Sequence, residues 1–167
     1  MHHNFEYLFN NEQDTMAWAK CLAGFLKPGD VLALSGELGV GKSVVSRTMM
    51  RTLHVQDAVL PSPTYAIIQE YDGVVTTGGL CRIAHMDWYR LEGEDDADML
   101  GIREFFEPPW ICFIEWPEQA QGLLPHAVLK LHLSYVHGDV KKRRLCLSGV
   151  TAKDYVVSIA DSWRVTG

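Results

Sequence analysis

One octapeptide constrains this chain more than anything else in it: Gly36-Glu37-Leu38-Gly39-Val40-Gly41-Lys42-Ser43. It fits the phosphate-binding pattern G-x-x-x-x-G-K-[ST], which acquires that meaning only between a strand and a helix. The apolar run Val31-Leu32-Ala33-Leu34 precedes it, and a helical pattern from Lys42 to about Leu53 follows. Backbone N–H groups must converge on phosphate oxygens, so the loop needs glycines that turn tightly and carry no blocking Cβ. The helix N-terminus adds partial positive charge. Lys42 is placed to reach the β- and γ-phosphates, and the Ser43 hydroxyl to ligate Mg²⁺. Gly36 to Ser43, with Val44 in the first helical turn, are the candidate nucleotide-binding residues.

Length and charge narrow the rest. A chain of 167 residues, 47% of them hydrophobic, suits one domain with a real core. Its net charge of −6 makes it a poor candidate for gripping nucleic acid alone, so any such role runs through a partner. Cys21, Cys81, Cys112 and Cys146 are widely spaced, as in reduced cytosolic proteins. Met1-His2-His3-Asn4-Phe5-Glu6 lacks the basic-then-apolar order of a signal peptide and reads as a solvated tail. No apolar run has the length of a membrane span.

The pattern along the chain is that of an α/β protein. Residues 11–26 read as a helix capped by Asn11, with Met16, Ala19, Leu22, Ala23 and Leu26 on its buried face. After the phosphate loop and its helix comes a loop over His54–Ser62, then strands over Tyr65–Tyr71 and Leu80–Met86 joined through residues 72–79. Five acids, Glu92, Glu94, Asp95, Asp96 and Asp98, open a helix whose apolar side is Met99, Leu100, Ile102, Phe105 and Phe106. Ile111-Cys112-Phe113-Ile114 looks like a central parallel strand buried on both faces. Pro117 starts a short helix, and Val128–Val136 with Arg143–Leu147 forms an antiparallel hairpin. Residues 150–167 are a tail, part strand or helix. The run Lys141-Lys142-Arg143-Arg144 reads as charge on an exposed hairpin edge, or as a contact for tRNA or an acidic partner.

Hydrolysis requires an acid at the end of a neighbouring strand, to hold Mg²⁺ and position the attacking water. Asp87 and Glu115 both end candidate strands and are the candidate catalytic and metal-binding acids.

Four blocks stand in order: GELGVGKS (36–43), SPTYAIIQEY (62–71), HMDWYR (85–90) and IEWPE (114–118). Together they resemble the TsaE family, also called YjeE, over roughly residues 11–148. The resemblance implies a P-loop NTPase-like three-layer sandwich, a mixed, mostly parallel sheet with helices on both faces and the C-terminal antiparallel hairpin, across a single domain of residues 1–167. It implies a cytoplasmic, Mg²⁺-dependent ATPase that acts with the partners TsaB and TsaD to form N6-threonylcarbamoyladenosine on tRNA, meeting tRNA through that complex. Lys42 and Ser43 resemble the family's Walker lysine and Mg²⁺-ligating hydroxyl, and Thr64 its switch threonine near the γ-phosphate. Asp87 and Glu115 resemble its two needed acids. Trp116 is similar to an indole near the nucleotide, and Arg90 to a residue that either stabilises transferring phosphate or forms a structural ion pair. His85 and Tyr89 match as well.

Other readings remain. A GTPase switch predicts an N-K-x-D motif, which is absent. A kinase predicts an arginine-rich lid, and none is seen. A nucleotide-gated interaction module, with incidental hydrolysis, fits the same residues.

Overall fold

The computed structural model describes residues 3–56 and 67–162. In chain order the described elements are β1 (His3–Phe9), α1 (Glu12–Ala23), β2 (Val31–Gly36), α2 (Lys42–Thr52), β3 (Ile68–Val74), β4 (Leu80–Asp87), α3 (Glu94–Met99), β5 (Trp110–Glu115), β6 (Leu129–Val136), β7 (Asp139–Gly149) and α4 (Ala152–Ser162). Two 3₁₀ segments, Ile102–Phe106 and Pro117–Leu123, flank β5.

The strands form one sheet in the order β1-β7-β6-β2-β5-β4-β3. β6, β2, β5 and β4 run parallel to one another. The hairpin partners β3 and β7 add antiparallel at either side, and β1 closes on β7. Tight turns can join only antiparallel neighbours, whereas the parallel strands need the helices as crossovers.

Alternation sorts the core into two layers. Leu32 and Leu34 of β2, with Ile111 and Phe113 of β5, face α1, α2 and α4. Val31 and Ala33, with Cys112 and Ile114, face the opposite layer, where Ala97, Ile102, Phe105 and Leu123 pack. This is the expected three-layer sandwich, and β5 is buried on both faces as its continuous apolar run requires.

α1 begins where the sequence places it: the Asn11 side chain accepts from the Asp14 N–H at 2.9 Å. Its buried stripe differs from the expected one. Met16 is 37% exposed, and Trp18 is buried in its stead. Trp18 packs on Tyr7 and Phe9 of β1, at ring-centroid distances of 5.2 and 5.9 Å. Met1–Glu6, which includes the start of that strand, reads in sequence as a solvated tail, because an edge strand of mixed polarity shows no clear alternation.

β1 also corrects the reading of the basic run. It pairs with β7 from Arg143 to Gly149, so Arg143 and Arg144 lie on an internal part of the sheet, whereas Lys141 and Lys142 lie outside that pairing. The helix expected after the acidic stretch ends at Met99 because Gly101 turns with φ +66°. Met99 is therefore 87% exposed, although Ile102 and Phe105 reach the core from the 3₁₀ segment. The strand β3 runs on to Val74, into the stretch expected to be loop. Within the tail after Gly149, Ala152–Ser162 forms helix α4, docked by Ala152, Tyr155 and Ile159. The expected loop at 54–62 is described only to residue 56.

Candidate functional site

β2 emerges at Gly36, the chain loops through Val40, and α2 starts at Lys42. Gly36, Gly39 and Gly41 have φ of +136°, +76° and +117°, a region that side-chain-bearing residues rarely adopt. Space is also limiting at Gly36, where an added Cβ would overlap the carbonyl oxygen of Leu133 on β6. Gly36→Ala should therefore impose strain of about 1–3 kcal/mol on the loop and weaken nucleotide binding correspondingly. Calorimetric titration with ATP checks this, and unchanged affinity would contradict it.

The loop is held by the sheet on one side. Val40 is buried, and its carbonyl accepts from Arg143 Nε at 2.9 Å. The Arg143 guanidinium lies 4.4 Å over the Tyr135 ring, and the Tyr135 hydroxyl donates to the Leu38 carbonyl at 3.3 Å. Arg143 is thereby committed to the loop.

Lys42 folds back beneath this loop. Its Nζ donates to the carbonyls of Gly36 at 2.7 Å and Glu37 at 2.8 Å. The Trp116 ring centroid lies 4.0 Å from the ammonium, a cation–π contact. Burial pulls the Lys42 pKa below its ordinary value, against the opposing pull of Glu115, Glu118 and Asp87. Trp116 adopts left-handed backbone, φ 59° and ψ 50°, at the start of the 3₁₀ segment, and its ring meets Tyr89 at 5.0 Å. An L-residue pays for that conformation, and the turn from β5 into the cavity wall is what it achieves.

The two acids arrive together. Asp87 and Glu115 are direct register partners at the carboxyl ends of the parallel strands β4 and β5. Glu115 Oε1 accepts from Ser46 Oγ at 3.2 Å, and Asp87 Oδ1 accepts from the Tyr89 N–H at 2.9 Å. Burial works to raise Glu115, but His85 beside it and the hydroxyls of Ser43 and Ser46 hold it below the ordinary carboxylate value. Asp87 goes the other way: burial and the charge of Glu115 raise it, against the Tyr89 N–H, His85 and Lys42. Two neighbouring carboxyls with opposed shifts can divide the tasks of metal ligand and proton relay.

A cavity of about 410 Å³ joins these groups, lined by Leu38, Gly39, Gly41, Lys42, Ser43, Val44, Asp87, Tyr89, Glu115 and Trp116. Gly36 and Glu37 instead line a second cavity behind Trp116, with Ser35, Glu118, Lys130 and His132. Val40 lines a third beside Thr15 and Arg143. Arg90 is exposed and is not among the residues lining the first cavity. Thr64 lies outside the described residues. Ser46 and Arg143 were not expected. Ser46 left a signal, a polar residue one turn after Lys42 on the buried side of α2. Arg143 left none, since it meets Val40 across 103 positions.

The donor set suits Mg²⁺. Hard oxygens from Ser43, Glu115 and Asp87 line one space. Among the described residues, no group of three or more His, Cys, Asp and Glu side chains could cage a metal alone. That is the arrangement for an ion that keeps waters and takes substrate phosphates as ligands.

A sequence profile described as "Threonylcarbamoyl adenosine biosynthesis protein TsaE" matches residues 9–145. The chain is 35% identical over 132 residues to the tRNA threonylcarbamoyladenosine biosynthesis protein TsaE of Bacillus subtilis (strain 168), covering 79% of this chain and 78% of that protein. It is 32% identical over 143 residues to the protein of the same name in Rickettsia bellii, covering 86% and 93%. The crystal structure of Bacillus subtilis YdiB matches with a TM-score of 0.79 and 28% identity, over 97% of both chains. Phosphate loop, paired acids and a profile match spanning most of the sequence lead to one assignment: this chain belongs to the TsaE family of threonylcarbamoyl adenosine biosynthesis proteins.

Proposed function

We propose that this protein is a Mg²⁺-dependent ATPase that serves N6-threonylcarbamoyladenosine formation on tRNA together with TsaB and TsaD. The observation that carries the reading is the registered pair Asp87 and Glu115, facing Lys42 and Ser43 across one cavity. On ATP entry, Lys42 exchanges two backbone carbonyls for phosphate oxygens, and the loop N–H groups take the remaining charge. Glu115 orients a water in line with the γ-phosphorus. The water oxygen bonds to phosphorus as the bond to the bridging oxygen breaks, giving ADP and phosphate, and a proton leaves through the carboxylates. Mg²⁺, which Ser43, Glu115 and Asp87 would hold, would supply charge neutralisation.

Among the described residues lining the cavity, Lys42 is the only cation. A triphosphate beside two carboxylates leaves transition-state charge under-compensated, so the reading includes slow hydrolysis by the isolated protein and acceleration by its partners. With a net charge of −6, tRNA contact is assigned to the complex. Among the described residues no helix is long and apolar enough to cross a membrane, and the proposed site of action is the cytoplasm. Turnover with ATP and with GTP, with and without TsaB and TsaD, tests the reading. Expected are a low ATP rate alone and a clear rise with both partners. A high partner-independent rate, or preference for GTP, would overturn it.

A further inference from the structure

His85 has no surface exposed to solvent. It stands on β4 between Gln69 of β3 and Phe113 of β5, two residues before Asp87 and so on the same face of the strand. Among the described residues, neither Nδ1 nor Nε2 has a hydrogen-bond partner. A buried polar group left unsatisfied is destabilising. A leucine or phenylalanine in that place, beside Phe113, would cost nothing of the kind.

An acceptor stands just out of reach. Glu115 Oε1 lies 3.8 Å from His85 Nε2, too long for a hydrogen bond and about 1 Å beyond one. The same oxygen already accepts from Ser46 at 3.2 Å. Two donors aimed at Oε1 from the core side would hold that oxygen inward and leave Oε2 for the cavity. The neutral imidazole is sufficient, because only one N–H is needed.

We propose that His85 is a positioning residue for Glu115: its Nε2–H closes onto Oε1 when cation and nucleotide load the site, and so sets the carboxylate's angle toward the cation. The gap in the present geometry is the slack taken up on loading. The proposal rests on the reading of Glu115 as an acid that serves Mg²⁺. It differs from a packing role, in which any side chain of similar volume would suffice.

The test compares His85→Phe, which removes both nitrogens, with His85→Gln, whose amide nitrogen can stand near Nε2, in the full chain. Three quantities are read: the melting temperature, ATP affinity in EDTA, and the Mg²⁺ concentration that half-restores metal-dependent nucleotide binding. His85→Phe should melt no lower than wild type and bind ATP in EDTA equally well. Its Mg²⁺ requirement should rise about 10–100-fold, the usual cost of losing a group that orients a metal ligand. His85→Gln should recover most of that loss.

A wild-type Mg²⁺ requirement in His85→Phe overturns the proposal, as does equal impairment in the Phe and Gln variants. Should His85→Phe fail to fold, His85→Gln against His85→Asn decides, because the shorter amide reaches only the Nδ1 position. Equal Mg²⁺ requirements in those two overturn it. Glu115→Gln is measured alongside. If it too leaves the Mg²⁺ requirement untouched, the reading of the site has failed, whereas loss in Glu115→Gln with none in His85→Phe sinks only the role of His85.

Discussion

Lys42→Met is expected to remove nucleotide binding. The ammonium is buried, lines the cavity, and is the only cation among the described lining residues. Truncating one partner of a buried, hydrogen-bonded charge pair costs about 2–5 kcal/mol, or roughly 30- to 4,000-fold in affinity. Methionine preserves most of the stem and removes the ammonium over Trp116, so the loss comes from charge and donors. The fold should tolerate the change, because the ammonium is already held at a desolvation cost that lowers its pKa. The carbonyls of Gly36 and Glu37 lose their donor but lie beside an open cavity that water can enter. Calorimetric titration with ATP, paired with a thermal melt, checks both halves. ATP affinity within a few-fold of wild type would overturn the assignment of Lys42 to the phosphates.

Glu115→Gln should separate binding from turnover. Glutamine keeps the shape and one carbonyl acceptor for Ser46, so ATP should still bind. Turnover should fall by about 10²–10⁴-fold, the range for losing a group that handles a proton or positions the attacking water. Single-turnover hydrolysis against equilibrium binding measures the split. If the variant is inert as an ATPase but fully supports tRNA modification, the protein is a nucleotide-gated interaction module instead.

The same substitution should change the pH dependence of stability. Glu115 is held below its ordinary value in the fold, so its ionised form contributes stability that is present above the unfolded pKa of about 4.3 and is lost as pH falls through the folded value. Glu115→Gln removes that acid-side loss. Asp87 is raised, so its contribution has the opposite sign: the cost of burying its charge is relieved as pH falls through the folded value.

The octapeptide made its own location legible, because a strand, a glycine-rich turn and a helix are local patterns. The end of β5 was equally readable, since a continuous apolar run stops at Glu115, and Asp87 closes the more mixed strand β4. β1 was hidden. Its residues pair only with β7, more than a hundred positions away, and an edge strand need not alternate cleanly. With β1 hidden, the place of Trp18 in the core and the internal position of β7 were hidden too. The apolar side assigned to Met99 and Leu100 assumed that a helical period continues, and Gly101 interrupts it.

By itself, then, the sequence determined the phosphate loop, the identities of the two acids and an α/β layering, because each depends on residue type and near-neighbour spacing. Tertiary structure alone decided that Asp87 and Glu115 are side by side, that Ser46 and His85 sit behind Glu115, and that Arg143 braces the loop at Val40. Those relations follow from strand order and register. Register is set by which faces many separate segments bury together, a property of the whole sheet that no single stretch of chain contains.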